Sequence, residues 1–268
     1  MQINKPTLTI EEELFCTKYE LKILSGIVNM DMLERWVPGF CGTHTHKEHV
    51  SRYDWVKDFV KNKTVLDIAC GSGFGSYKLV AEGNAEKVLA GDIDEDTVKY
   101  ASCRNRHPLV DFQVQNAETF KFDKKFDVVV SFETIEHLKK PEAFLSNVNE
   151  VLNTKGSFFV STPISGVPYN KKPANIYHTV EWGFVKFQEL VSNYFDIKDI
   201  FLQMYRFPPK PDNRIMSRGL RKAGIVKTPS PGQVIERLAP FKWNPDEIAK
   251  ETIGTLWTGY QILQCKKK

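Results

Sequence analysis

The chain has 268 residues, 41% of them hydrophobic and 26% charged, with a formal net charge of +4; this fits one large domain, or one domain with an appendage, and excludes collagen-like or bulk-disordered chains. So small a net charge does not by itself imply a nucleic-acid partner. No apolar run reaches the ~18 residues of a membrane span, and Glu11, Glu12 and Glu13 stand where a signal peptide would need an apolar core, so a cytoplasmic protein is expected.

Residues 1–47 read as an N-terminal extension, with helical patches around 10–25 and 29–36. In 46–60, Val50, Tyr53, Val56, Phe59 and Val60 fall near one face at helical spacing. From Thr64 strands and helices alternate. TVLDIA (64–69) is a short apolar strand, broken by Gly71 to Gly75, and a helix follows to about Glu82. KVLAGD (87–92) is a strand, EDTVKYASCRNR (95–106) a helix and VDFQVQ (110–115) a strand. The unbroken apolar run of FDVVVSF (126–132) suits a strand buried on both faces. PEAFLSNVNEVL (141–152) is a helix with Pro in its first turn, and GSFFVSTP (156–163) is a fifth strand. A helix near 185–195 and strands at 197–205 and 255–265 complete the series. Such alternation predicts an α/β fold, a parallel sheet covered by helices on both faces, with 48–205 as its core and 251–268 adding the final strand. Residues 206–250 are Pro-rich, with nine Lys/Arg between Tyr205 and Lys242 against Asp212 and Glu236. A segment this long without regular structure reads either as a lid or substrate-binding insertion with a short helix at 232–238, or as a solvated basic loop.

The first strand ends in D-I-A-C-G-S-G-F-G, Asp67 to Gly75. Its glycines permit a tight strand-to-helix turn and a close backbone approach to a ligand. Asp92 ends the second strand, 21 residues after Gly71, where a carboxylate can accept hydrogen bonds from both hydroxyls of a ribose. The loop reads G-x-G-x-G rather than the G-x-G-x-x-G of a nicotinamide site, and Asp67 suits a cationic tail better than a pyrophosphate. Five scattered cysteines (Cys16, Cys41, Cys70, Cys103, Cys265) without a C-x-x-C pair argue for free thiols rather than disulfides or a zinc ribbon. His44, His46 and His49 read as a helix-start segment, because Glu48 alone does not complete a metal site.

VLDIACGSGFGS, AGDIDEDTVKYA, QNAETFKF, FDVVVSFETIEHLKKPEAFLSNVNEVL and GSFFVSTP, in that order, resemble class I S-adenosylmethionine (SAM)-dependent methyltransferases from about 48 to 195. The resemblance implies a Rossmann-like, seven-stranded, mostly parallel sheet with an antiparallel last strand. It also implies a SAM site. Asp67, Ala69, Cys70, Gly71, Ser72 and Gly73 would face the amino-acid tail and Asp92 the ribose. Ile93, Asn116, Ala117 and Glu118 would border the adenine, and Ser131, Phe132 and Glu133 the methionyl part. Asn116 stands where many relatives have Asp. Arg52 would either meet the SAM carboxylate or make a surface salt bridge. ERWVP (34–38) and EHVSRY (48–53) are similar to a bacterial-type branch associated with glycan modification.

Methyl transfer from a sulfonium mainly needs alignment, and a hydroxyl acceptor can need a base. Glu136, His137 and His178 are the candidates. E-T-I-E-H also resembles the metal-binding run of ubiquinone-type and small-RNA methyltransferases, which makes Glu133, Glu136, His137 and His178 candidate ligands of a divalent ion such as Mg. The leading expectation is O-methylation of a sugar hydroxyl on a glycan or glycan precursor, anionic if the basic insertion binds it. Alternatives are RNA 2′-O-methylation, a small-molecule (quinone or natural-product) O- or N-methyltransferase, and a SAM-binding regulatory subunit without catalysis.

Overall fold

The computed structural model describes residues 7–28, 35–40, 43–163, 169–173, 175–207, 234–238 and 256–268. Chain order is α1 (Ile10–Val28), α2 (Thr43–Val56), a 3-10 turn (Lys57–Phe59), β1 (Thr64–Ile68), α3 (Phe74–Ala81), β2 (Lys87–Asp92), α4 (Glu95–Arg104), β3 (Val110–Val114), β4 (Phe126–Phe132), a second 3-10 turn (Ile135–His137), α5 (Pro141–Val151), β5 (Leu152–Pro163), α6 (Phe184–Ser192), β6 (Phe195–Phe207), β7 (Val234–Leu238) and β8 (Leu256–Lys267).

The strands form one sheet in the order β3-β2-β1-β4-β5-β8-β6-β7. β3, β2, β1, β4 and β5 run parallel; β8 is inserted antiparallel between β5 and β6. The seven expected strands are therefore present, with the antiparallel last strand in the interior of the sheet. Chain order reverses between β1 and β4, the position at which open α/β sheets leave a crevice outside the carboxyl ends of their strands.

Both faces of the sheet are covered. Phe144, Leu145, Val148 and Val151 of α5 and Phe187 and Val191 of α6 pack on Leu66, Val129 and Phe158. On the other face Tyr53, Val56, Leu79 and Val80 cover Val65, Val88, Val128 and Phe159. Strand residues of alternating parity thus serve opposite faces, which is why β4 reads as continuously apolar.

Two expectations change. VIERL, inside the expected helix at 232–238, is a strand that pairs antiparallel with β6 from Ile200↔Leu238 to Met204↔Val234. The edge of β6 offers an open row of backbone groups, and the β-branched Val234 and Ile235 suit that pairing better than an isolated helical turn. The helix expected over 46–60 begins at Thr43 and gives way to the 3-10 turn after Val56. Of the patch expected at 29–36, Arg35 and Trp36 are irregular and the rest lies outside the described residues, as does most of 206–250. The four described cysteines are buried free thiols, and Cys41 lies outside the described residues. Among the described residues no helix is long and apolar enough to cross a membrane.

Candidate active site

The turn after β1 is built from left-handed backbone. Ala69 (φ 62°), Gly71 (φ 55°) and Gly73 (φ 76°) all lie in the region that penalises a side chain. At Gly73 a Cβ would also come 2.6 Å from Phe112 and 2.7 Å from Ala101. Ala69 holds such a conformation despite its methyl group, local strain of the kind concentrated at ligand sites. Beneath the turn, Asp67 accepts hydrogen bonds from Ser76 Oγ at 2.6 Å and from Tyr53 Oη at 3.2 Å. Burial pushes its carboxyl up to about 6, partly opposed by those bonds and assisted by nearby Asp92. The absence of a side chain at Gly75 is what admits the Tyr53 ring, since a Cβ there would lie 2.0 Å from it.

The turn opens into a cleft of about 420 Å³, lined where β1, β2, β3 and β4 end. Asp92 closes one side: its Oδ2 accepts from Gly71 N at 3.0 Å, and its Oδ1 from Asp94 N and Arg35 Nη1, both at 3.1 Å. Beside Arg35, Trp36 stacks on His49 with ring centroids 4.8 Å apart and planes 4° apart, and meets Phe74 edge-on. Burial and the neighbouring Arg52 hold the His49 imidazole well below its ordinary range, hence neutral.

At the end of β4, Glu133 takes a left-handed turn (φ 53°). Its N–H donates to Ser161 Oγ, and that hydroxyl donates back to Glu133 Oε1 at 2.6 Å. Burial raises the Glu133 carboxyl; Arg52 and Ser161 oppose the shift. Arg52 is not a surface side chain. It is buried, donates to Gln203 Oε1 at 3.0 Å and Glu133 Oε1 at 3.4 Å, and lies over the Tyr260 ring. Among the described residues its Nε and Nη2 have no hydrogen-bond partner. Gln203 in turn donates to Glu48 O and Ser51 Oγ, tying α2 to β6.

Across the cleft the 3-10 turn carries Glu136 and His137. His137 Nδ1 donates to Tyr177 O at 3.0 Å, which fixes the tautomer and turns Nε2 toward Glu136 Oε1, 4.0 Å away. Glu136 Oε2 accepts from Thr162 Oγ1, and the backbone oxygens of Glu136 and Leu138 accept from Thr179. These bonds stitch the loop after β5 onto the turn and bring His178 edge-on to His137, with ring centroids 4.9 Å apart. His178 Nδ1 donates to Glu181 Oε1 at 2.9 Å, and Asn175 Nδ2 donates to His178 Nε2 at 3.1 Å. Tyr177 N donates to Asn175 Oδ1, which sets that amide's orientation.

Of the residues expected from sequence, Ala69, Cys70, Gly71, Ser72, Asp92, Ile93, Asn116, Ala117, Phe132, Glu133 and His137 line the cleft. Asp67, Gly73 and Ser131 support it from beneath without lining it, and Arg52 stands behind Glu133. Glu118 faces outward, its carboxylate accepting from Lys140 N and its carbonyl from Asn147. One ligand atom each from Glu136, His137 and His178 come within 4.8 Å of one another; Glu133, the fourth expected ligand, is outside that group. The lining also includes Arg35, Trp36, His49, Tyr53, Gln115, Thr134, Leu138 and Tyr177. Tyr53 and His49 carried a signal, as helix residues immediately preceding the first strand. Arg35 and Trp36 carried none beyond ERWVP.

Residues 59–204 match the family model described as a methyltransferase domain. A Mycolicibacterium smegmatis protein named "probable S-adenosylmethionine-dependent methyltransferase" is 36% identical over 171 residues, covering 62% of this chain and 65% of that relative's length. A Mycobacterium tuberculosis protein of the same description is 30% identical over 204 residues, 75% of this chain and 70% of its own. The O-methyltransferase of a Brevibacillus brevis trans-AT polyketide synthase, solved with S-adenosyl-L-homocysteine, superposes with a TM-score of 0.53 at 16% identity, covering 87% of this chain and 82% of its own.

Proposed function

This chain belongs to the methyltransferase-domain family of SAM-dependent enzymes, and from that premise we propose that it methylates a hydroxyl oxygen, with His137 as the base. The observation that carries the reading is the pairing of opposite rims of one cleft, Asp92 on one and His137 on the other. The residues present fit SAM. Among the described residues, Ser72 Oγ and two Arg52 nitrogens are buried donors without hydrogen-bond partners, and nothing lies within 4 Å of the point a Cβ at Gly71 would occupy. Asp92 would take the ribose hydroxyls, Ile93, Asn116 and Ala117 the adenine, and Glu133, Ser72 and Arg52 the amino-acid tail. When bound, SAM supplies an electrophilic methyl on a sulfonium.

His137 Nε2 is the acceptor for the proton that the hydroxyl gives up. Its Nδ1–H is held by Tyr177 O, and the Glu136 carboxylate stands where it stabilises the imidazolium that forms. His178 acts through His137: both its ring nitrogens are engaged by Glu181 and Asn175, so it props the His137 ring rather than competing for the proton. The acceptor we propose is a sugar hydroxyl of a glycan precursor. The resemblance of ERWVP and EHVSRY supports it, as do exposed Tyr169 and Tyr177 on the loop beside His137, whose rings suit stacking on a sugar face.

Incubation with methyl-labelled SAM and separate nucleotide-sugar, glycan, RNA and quinone fractions tests this. Label in the sugar fractions is expected. Label only in RNA or quinone would replace the acceptor, and tight SAM binding without transfer to any fraction would point to a regulatory subunit. A second reading, metal-assisted deprotonation, is favoured by the convergence of Glu136, His137 and His178. Turnover that survives EDTA supports the base mechanism; loss that Mg restores supports the metal.

A further inference from the structure

Helix α1 contributes no residue to the cleft lining and is built with two faces. α1 starts with a capping box: Thr9 N donates to Glu12 Oε2 and Glu12 N to Thr9 Oγ1. One face is docked on α4. Cys16, Tyr19 and Ile23 are buried against Tyr100 and Cys103, Tyr19 Oη bonds Thr97 Oγ1 at 2.8 Å, and Glu20 holds both Tyr100 and Arg104. The opposite face is apolar and bare. Ile10 is 88% exposed, Leu14 53%, Leu21 57% and Leu24 40%.

Their spacing alternates between four and three residues when Thr17 is included: 10, 14, 17, 21, 24. That is the a/d seam of a two-stranded coiled coil, with Leu14 and Leu21 at a and Ile10, Thr17 and Leu24 at d. The buried residues Tyr19 and Cys16 then fall at f and c, away from the seam, so docking on α4 leaves the a and d positions exposed, although Glu13 and Glu20 at g both bond Arg104. In the same register Glu13, whose half-exposed carboxylate also accepts from Arg104 Nη1 at 2.8 Å, occupies g, and Lys18 the following e. In a parallel pair the g residue of one helix meets the following e residue of the other, so a second copy places Glu13 opposite Lys18 twice across the axis. An antiparallel pair centred on this stretch sets Lys18 against Lys18. A membrane surface suits the face poorly, because Glu11, Glu13 and Glu20 flank it and anionic headgroups repel them.

We propose that α1 is a parallel homodimerisation helix, its Ile10–Leu14–Leu21–Leu24 stripe closing on the same stripe of a second copy. Since α4 already holds α1 helical, association does not have to fold it. A helix of 19 residues is short for such a seam, so a dissociation constant on the order of micromolar is expected.

Sedimentation equilibrium of the full chain over a wide concentration range tests it. A dimer is expected, and L14E/L21E is expected to be monomeric with its helical circular dichroism and SAM affinity retained. A charge variant keeps the test open should that double variant misfold. K18E weakens the dimer roughly fivefold, because it sets like charges across the axis while leaving the Glu13–Arg104 bond of α1 to α4 in place. Ile10→Cys, with Cys41 replaced by Ser, oxidises to a covalent dimer only if the helices are parallel and in register, because an antiparallel pair centred near Lys18 would hold the two copies of residue 10 about 24 Å apart. A chain that stays monomeric at high concentration overturns the proposal. So does a dimer indifferent to Leu14, Leu21 and Lys18, or one that Ile10→Cys fails to cross-link. Binding of neutral lipid vesicles that L14E/L21E abolishes, with no dimer in the parent chain, would assign the face to a membrane instead.

Discussion

The two rims of the cleft are made in different ways. The Asp92 rim comes from strand tips that follow one another in the chain, and main-chain geometry does much of the work: left-handed residues at 69, 71 and 73, and backbone N–H groups of Gly71 and Asp94 on the carboxylate. The His137 rim comes from a single 3-10 turn completed by a loop some 40 residues later, and side-chain hydrogen bonds hold it. A rim made of backbone is suited to gripping a constant ligand. One made of side chains on a stitched loop can change its acceptor without disturbing the first.

The sharpest way to break this contrast is at His137. Replacement by Ala is expected to lower kcat by roughly 10²–10⁴-fold, the usual contribution of a positioned base, while calorimetry shows SAM affinity unchanged. Weaker SAM binding in that variant would mean the rims are not separable. The converse is Asp92→Asn, for which SAM binding should weaken on the order of tenfold to a hundredfold, the scale of charge-assisted hydrogen bonds, with saturated turnover preserved.

Asp67 sharpens the comparison through pH. Its folded-state value of about 6 lies above the ordinary 3.8, so the native chain binds the proton more tightly than the unfolded one. Its contribution to stability is complete below pH 3.8 and is lost as pH rises through 6. Asp67→Asn should therefore flatten the fall in Tm across that window relative to the parent chain, and an unchanged slope would assign the titration elsewhere. The smallest effect is expected at Arg35, whose Nη1 donates to Asp92 Oδ1. A part-exposed pair of this kind contributes at most about 1 kcal/mol. Arg35→Ala should tighten SAM binding by no more than roughly fivefold, and weaker binding would show that the guanidinium contacts the ligand itself.

The parallel half of the sheet and most of the Asp92 rim were legible because their signals are local. Glycines after an apolar strand, a carboxylate closing the next strand and a continuously apolar fourth strand each state a backbone requirement within a few residues. The misread stretch, Val234–Leu238, fails for the opposite reason: five residues contain no period long enough to separate helix from strand, and the open edge of β6 decides. Arg52 was open to two readings in sequence, ligand or surface ion pair. Only the folding of Gln203 and Tyr260 over it makes it a buried cation with two nitrogens that have no hydrogen-bond partner among the described residues.

Sequence alone therefore determined the alternation of strands and helices, the glycine turn and the carboxylate opposite it, because steric and hydrogen-bonding demands on neighbouring residues are written at short range. The tertiary structure decided which side chains face one another across the cleft: Arg35 on Asp92, Trp36 on His49, His178 behind His137 with Glu133 turned away to Ser161. Those pairings join residues from 13 to 57 positions apart, and their distances are set by packing of the whole sheet, which no local pattern encodes.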